Sequence, residues 1–515
     1  MRNLAEHRRE MALKELGTTL VKRNLSIVSL VIFSATLLSV PICQLVSDIQ
    51  RGESLHVFRA IGLLPVPHLE EIEAYEDTLE EESVLTDWLL PSVQTILTRV
   101  FLTGNEQAYL GREGWVFYRA DVDSLINASP QKTARAALTT LIDFNRQLEA
   151  RGITLIVVPT PVKPTIHPEK FSARYRNAEA PIHHPDYAAF IDGLRSEGVL
   201  VYDSSQLLFE AARQDAQYLK TDTHWKPEAM EQVAQHLSAF ITKQVELSDN
   251  PSFSYIKAAE ATSNIGDIAK MLKLPTGQKL FPQERVTRHI VQTPSGDLWR
   301  PDRASEILFL GDSFSNIYSL AGMGWGDSAG FVEHLSAELA QPIDKIVINA
   351  GGADATRHAL VQEISRGSDR LAGKRVLIYQ FATREVFSGD WKLLSIPQVQ
   401  TAEQSQTRNE DITVTATIKA KTEPPMPRTV PYAECIIALH LENADTSELP
   451  GAFVVFLWGM RENQWTDAAT FKVEQRVKLR LRPWTAVETE YGSYNRKELE
   501  NEEAWLLDIY WGELP

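Results

Sequence analysis

The chain has 515 residues, enough for roughly three domains at about 150 residues each. Hydrophobic residues make up 43% and charged residues 23%, an ordinary globular composition that excludes global disorder, a collagen-like fibre and, with Cys43 and Cys435 as the only cysteines, a disulfide framework or structural zinc site. The formal charge of −16 argues against a nucleic-acid partner, because the phosphate backbone demands a basic face.

The stretch from Leu25 to Val46 carries no charge and is long enough for a transmembrane helix, which needs about 20 apolar residues. Arg2, Arg8, Arg9, Lys14, Lys22 and Arg23 precede it, so residues 1–24 are expected in the cytoplasm and everything after Ser47 on the far side of the inner membrane. A cleaved signal peptide is the alternative, but the apolar run exceeds the usual 7–15 residues of such peptides. Residues 47–110 read as a helical stalk, with the acidic run from Glu70 to Glu82 as a solvated face. Gly111-Arg112-Glu113-Gly114-Trp115-Val116-Phe117-Tyr118 then reads as a glycine-punctuated turn entering an aromatic strand.

Residues 111–395 read as one α/β domain. Five short, continuous apolar runs, Ile153–Val158, Val199–Tyr202, Ile307–Leu310, Ile346–Ile348 and Val376–Tyr379, suit strands buried on both faces. Helical patterns at Leu138–Leu148, Pro227–Ile241, Val332–Leu339 and Arg357–Ile364 separate them, which predicts a parallel sheet with flanking helices. Past residue 400 the period changes to two. Ile412, Val414, Ala416 and Ile418 alternate with polar residues, as do Val477, Leu479 and Leu481, so residues 405–515 read as an antiparallel β-domain of sandwich type. Trp458, Trp465, Trp484, Trp505 and Trp511 fall in it and serve either as core or as platforms for sugar rings.

Function in such sheets collects beyond the carboxyl ends of strands. Ile307-Leu308-Phe309-Leu310-Gly311-Asp312-Ser313 places a candidate nucleophile, Ser313, at that edge; the alternative is a plain helix cap by Asp312 or Ser313. A serine needs a base, and a histidine base needs a carboxylate to fix its tautomer. Asp222 and His224 in Thr221-Asp222-Thr223-His224-Trp225-Lys226-Pro227 supply both, with Pro227 opening a helix. The competing reading is a weak Asp/His metal pair, for which no third ligand stands in register, so no metal is expected. His183-His184 lies between prolines and reads as a loop. Asn349, or the backbone of Gly351 and Gly352, is a candidate oxyanion site, and Gln380 and Arg384 are candidates to reach the same cleft.

Gly-Asp-Ser-Phe after a strand, Asp-Thr-His-Trp upstream of it, and the Gly-Trp turn with Gly104-Asn105 before it resemble the periplasmic alginate O-acetyltransferases of the AlgJ and AlgX type, which carry an SGNH-hydrolase-like domain. The resemblance spans roughly 100–390, and Asp and His precede the serine as in that group. It implies acetyl transfer to hydroxyls of an exported polysaccharide through an acetyl-serine, with Ser313 as nucleophile, His224 as base and Asp222 as its orienter. It also implies a multi-spanning membrane acyltransferase as acetyl-donor partner. No nucleotide-cradling glycine loop is visible and no cofactor is expected. The alternatives are a carbohydrate acetyl esterase, if water attacks the acyl-serine, or a non-catalytic polysaccharide-binding scaffold subunit.

Overall fold

The computed structural model describes residues 23–51, 83–126, 131–248, 254–349, 351–365, 368–397, 411–425 and most of 430–514. The acidic run up to Glu82, the breaks around 398–410 and Trp505 lie outside the described residues. The chain forms two units, residues 1–93 and 94–515.

The first unit holds the helix Arg23–Arg51 with Pro41 inside it. Its segment Ser26–Ser47 has a mean hydropathy of 2.2 and is the one helix among the described residues long and apolar enough to cross a membrane. Leu30, Phe33, Leu37 and Leu38 are all more than half exposed. In the stretch read as a stalk, the helix Val84–Arg99 is present, but Ala108–Leu110 is a strand.

In the second unit β1 (Ala108–Leu110) and β2 (Val116–Tyr118) pair antiparallel across the glycine turn. Next come β3 (Thr154–Thr160) and β4 (Leu200–Val201), an antiparallel ribbon of β5 (Ile256–Asn264) and β6 (Glu284–Gln292), then β7 (Ile307–Gly311), β8 (Asp344–Val347) and β9 (Val376–Ala382). The five strands expected from continuous apolar runs form one parallel sheet of order β4-β3-β9-β7-β8. Every residue of β7 and β9 is buried. Ile307 and Phe309 pack with Met230, Val233, Leu237 and Ile241 of the helix Pro227–Gln244. Leu308 and Leu310 pack on the other face with Ala137, Leu141, Phe144 and Leu148 of the helix Gln131–Glu149. Each strand thus feeds two cores, which is why its sequence is apolar without alternation.

The C-terminal strands are β10 (Ile412–Lys421), β11 (Cys435–Glu442), β12 (Ala452–Arg461), β13 (Gln464–Trp465), β14 (Arg476–Pro483) and β15 (Ile509–Glu513). The two alternating segments of the sequence pair with each other, Val414 opposite Leu479 and Ala416 opposite Val477. The sandwich expectation gives way to a closed barrel. The order β11-β10-β14-β15-β12 returns on itself through β11–β12, with β12–β15 the one parallel pair. Alternation reports one buried face per strand and says nothing about closure. β11 and β12 are buried along nearly their whole length because Trp484, Val487 and Trp511 cover their outer side while Leu439, Val455 and Leu481 fill the interior. Most of the barrel's tryptophans are therefore packing: Trp484 and Trp511 are buried, Trp458 packs edge-on against Tyr494 and Trp511, and of the described tryptophans in the barrel only Trp465 is exposed. Tyr432, Cys435 and Met460 join the core cluster of Leu320 and Met323, and Arg303 pairs with Glu488, so the barrel seats on the α/β domain.

Candidate active site

The end of β7 forces a tight turn. A Cβ on Gly311 would lie 2.6 Å from the Phe309 ring and 2.9 Å from Ser315 Oγ, so only glycine fits. Asp312 caps the short helix Ser313–Asn316, its Oδ1 accepting from the Phe314 N–H at 2.9 Å, and its Oδ2 accepts from the Ala382 N–H at 2.8 Å. The cap read as an alternative to catalysis is thus real, but Asp312 makes it and Ser313 stands at the first helical residue. There the backbone N–H has no intrahelical acceptor.

The segment 221–226 is fastened from three sides. Thr221 donates through N–H and Oγ1 to Glu284 of β6 at 2.8 and 2.6 Å. Trp225 donates from Nε1 to the Phe314 carbonyl at 3.0 Å, and the Tyr318 hydroxyl donates to the Trp225 carbonyl at 2.8 Å. The two motifs, far apart in sequence, are therefore tied together at Phe314, the neighbour of Ser313. Asp222 does not cap the helix that Pro227 opens. Its Oδ1 accepts from His224 Nδ1 at 2.7 Å and from the His224 N–H at 3.1 Å, and its Oδ2 accepts from Trp325 Nε1 at 2.9 Å and the Asp267 N–H at 3.1 Å. Burial alone would raise its carboxyl, but the bonds from His224 and Trp325 win and hold it well below the usual range. His224 is 1% exposed, with its ring 4.9 Å from that of Phe314. Its Nε2 is buried with no hydrogen-bond partner among the described residues, so it does not bond the Ser313 hydroxyl in this state. Burial alone would lower its pKa; the bond and charge of Asp222, with the charges of Asp267 and Asp312, raise it instead.

The remaining candidates separate. Asn349 is buried; its Oδ1 accepts from Asn316 Nδ2 at 2.8 Å and, among the described residues, its Nδ2 meets only the weak acceptor Met323 Sδ at 3.3 Å, so it keeps a donor to offer. Gly351 and Gly352 are exposed, and Gly352 takes φ +69° in the turn before the helix Ala355–Ser365. Gln380 is not free to meet a ligand. Its Oε1 accepts from the Asp312 N–H at 3.0 Å and Ser315 Oγ at 2.8 Å, while its Nε2 donates to Thr160 Oγ1 and Asp312 Oδ1. Buried amides must be satisfied, and β9 delivers this one beneath the turn that carries Ser313. Gln380→Ala is accordingly expected to destabilise the fold by about 2–4 kcal/mol, read as a lower midpoint in denaturant. Arg384 is likewise engaged, pairing with the buried Asp121 at 2.9 Å and with Glu385 at 3.3 Å. The rings of His183 and His184 stack on Tyr187 and Phe387, as part of a packed loop.

Sequence reasoning missed Asp267, Trp325 and Lys163. Lys163 is fully buried, donating from Nζ to the carbonyls of Val116 at 2.8 Å and Lys220 at 3.3 Å, and burial pushes its pKa down to about 8. Pro161-Val162-Lys163-Pro164 straight after β3 was the available signal. Asp222, His224 and Asp267 offer ligand atoms within 4.8 Å of one another, the third partner that the metal alternative lacked. Both Asp222 oxygens already face N–H donors, however, and those donors' partial positive charge opposes a cation there.

Residues 108–383 match the family described as SGNH hydrolase-like domain, acetyltransferase AlgX. The chain belongs to this family. Among curated relatives it is 28% identical over 255 residues to the probable alginate O-acetylase AlgJ of Pseudomonas aeruginosa, covering 47% of this chain and 62% of that one. It is 25% identical over 243 residues to the alginate biosynthesis protein AlgX of the same organism, covering 46% and 48%. The chain therefore spans less than two thirds of the length of these relatives. The solved O-acetyltransferase domain of Pseudomonas putida AlgJ superposes with a TM-score of 0.44 at 21% identity, over 55% of this chain and 92% of that one.

Proposed function

We propose that this AlgX-family protein is a membrane-anchored O-acetyltransferase that moves acetyl groups onto hydroxyls of an exported polysaccharide. The observation that carries the reading is the Asp222–His224 pair: the carboxylate engages Nδ1 at 2.7 Å and leaves Nε2 unpartnered among the described residues, on a ring packed against that of Phe314, which follows Ser313. An imidazole held this way is a general base on its free side.

The steps follow from that polarity. Nε2 takes the Ser313 proton as Oγ attacks the acetyl carbonyl, and Asp222 stabilises the resulting imidazolium. The tetrahedral oxyanion is met by the Ser313 N–H and Asn349 Nδ2. Its collapse breaks the bond to the donor's leaving group, which takes the proton back from Nε2. A sugar hydroxyl then attacks the acetyl-serine, giving its own proton to Nε2, and the acetyl ester forms as Ser313 recovers that proton. In this reading the catalytic unit works outside the cytoplasm, which the apolar helix and the basic residues before it in the sequence support, and the acetyl group arrives through a membrane-embedded acyltransferase rather than from a cytoplasmic thioester. A reporter active only outside the cytoplasm, fused after Val46, is expected to be active; activity of a cytoplasm-only reporter there would reverse the topology.

Incubating the purified protein with a chromogenic acetyl ester, with and without an oligosaccharide acceptor, tests the reaction. Acetylated oligosaccharide is the expected product. Release of acetate alone, undiminished by acceptor, would make the protein an esterase, and no Ser313-dependent turnover would leave a binding subunit.

A further inference from the structure

A second carboxylate faces the orienting side of His224. Asp267 opens the short helix Asp267–Met271, and Gly266 before it packs so tightly on the Thr221–Asp222 peptide that a Cβ would lie 2.2 Å from the Thr221 carbonyl carbon. Only that close approach lets Asp267 touch the loop at three points. Its N–H donates to Asp222 Oδ2 at 3.1 Å, its Oδ1 accepts from the Thr223 N–H at 2.7 Å, and its Oδ2 lies 3.7 Å from His224 Nδ1. That Oδ2 is buried and has no hydrogen-bond partner among the described residues. An unpaired buried carboxylate oxygen is costly, and stability alone gives no reason to aim one at an imidazole already bonded to another carboxylate.

We propose that Asp267 is a positioning residue for His224, seating the Asp222 carboxylate and the Thr223 amide while its free oxygen adds a second negative charge against the Nδ1 side of the ring. This rests on the reading of His224 as the general base. The consequence is a more basic Nε2 than one carboxylate could give. The charged and titratable groups around the pair are Asp222 on the same loop, Lys163 after β3, Tyr118 of β2, Asp121 in the helix Arg119–Ile126 and Asp312 at the nucleophile turn. Of these the Lys163 cation opposes the effect and the carboxylates reinforce it. Burial and the charge of Asp222 push Asp267 itself up to about 6, so it is mostly ionised where His224 titrates. Removing the Asp267 charge takes away a group that raises the His224 pKa, so the pKa falls.

The test uses the full chain in detergent micelles with its histidines labelled at Cε1 and the His224 resonance assigned by its loss in His224→Gln. Asp267→Asn keeps an oxygen for the Thr223 N–H and removes the charge. It is expected to lower the His224 titration midpoint by about one pH unit, and to move the acidic limb of kcat/KM for acetyl-ester cleavage by the same amount with KM unchanged. In the wild-type protein, whatever the variant's folding, the His224 signal should carry a second inflection near pH 6 as Asp267 ionises. An unmoved midpoint in a folded Asp267→Asn, or a single inflection in the wild type, overturns the assignment. A shifted midpoint in a protein without Ser313-dependent turnover upholds it and sinks the acyl-transfer reading instead.

Discussion

Replacing Ser313 by alanine is expected to take acetyl-ester cleavage and acetyl transfer down together by about four orders of magnitude or more. Both outcomes share the acyl-serine, so a variant that cannot form it loses both. The fold should survive: Ser313 is small, no partner among the described residues depends on its hydroxyl, and the turn is held by Gly311, Asp312 and Gln380 rather than by the Ser313 side chain. An unchanged melting midpoint with activity at the assay floor is the predicted pair of readings. Residual activity within tenfold of wild type would move the nucleophile elsewhere.

Asp222→Asn has the second largest expected effect, a fall in kcat of about 10⁴ with only a modest change in KM. The amide is nearly isosteric but removes the charge that stabilises the imidazolium, and its Nδ2 would face a donor, either Trp325 Nε1 or His224 Nδ1. Turning the amide to spare one confronts the other. The ring is then free to place its proton on Nε2, the tautomer that cannot act as base. Kinetics on the purified variant against a chromogenic acetyl ester measure this; a loss smaller than tenfold would demote Asp222 to a structural anchor of the loop.

How much of this was written in the chain depends on the residue. The strands of the parallel sheet were legible because each feeds two cores and so lacks alternation, and β10 and β14 because each feeds one. Barrel closure was not legible, since β11 and β12 are covered on both faces and their continuous apolar runs do not say which strands they pair with. The β5–β6 ribbon was missed because β5 is largely exposed and its sequence, Ile-Lys-Ala-Ala-Glu-Ala-Thr-Ser-Asn, shows no apolar period. Of the proposed site, Ser313, His224 and Asp222 stood out because acyl transfer through a serine needs those types, and they fall at a strand end and before a helix start. Gln380 sits at such an end as well, yet the fold uses its amide as a brace, which spacing cannot distinguish from a ligand contact. Asp267 was invisible for a different reason: it reaches His224 through the close approach at Gly266, a tertiary contact across more than forty residues of chain.

The acetyl-enzyme is the central claim, and mass spectrometry tests it most directly. The full chain, acid-quenched during turnover of an acetyl ester without acceptor, should gain the mass of one acetyl group. Fragmentation of the peptide that follows β7 should place that group on Ser313 and not on the neighbouring Ser315, whose hydroxyl is spent on Gln380. Adding an oligosaccharide acceptor before the quench should discharge it. Turnover without any acetylated protein, or an acetyl group on a residue other than Ser313, would contradict the account.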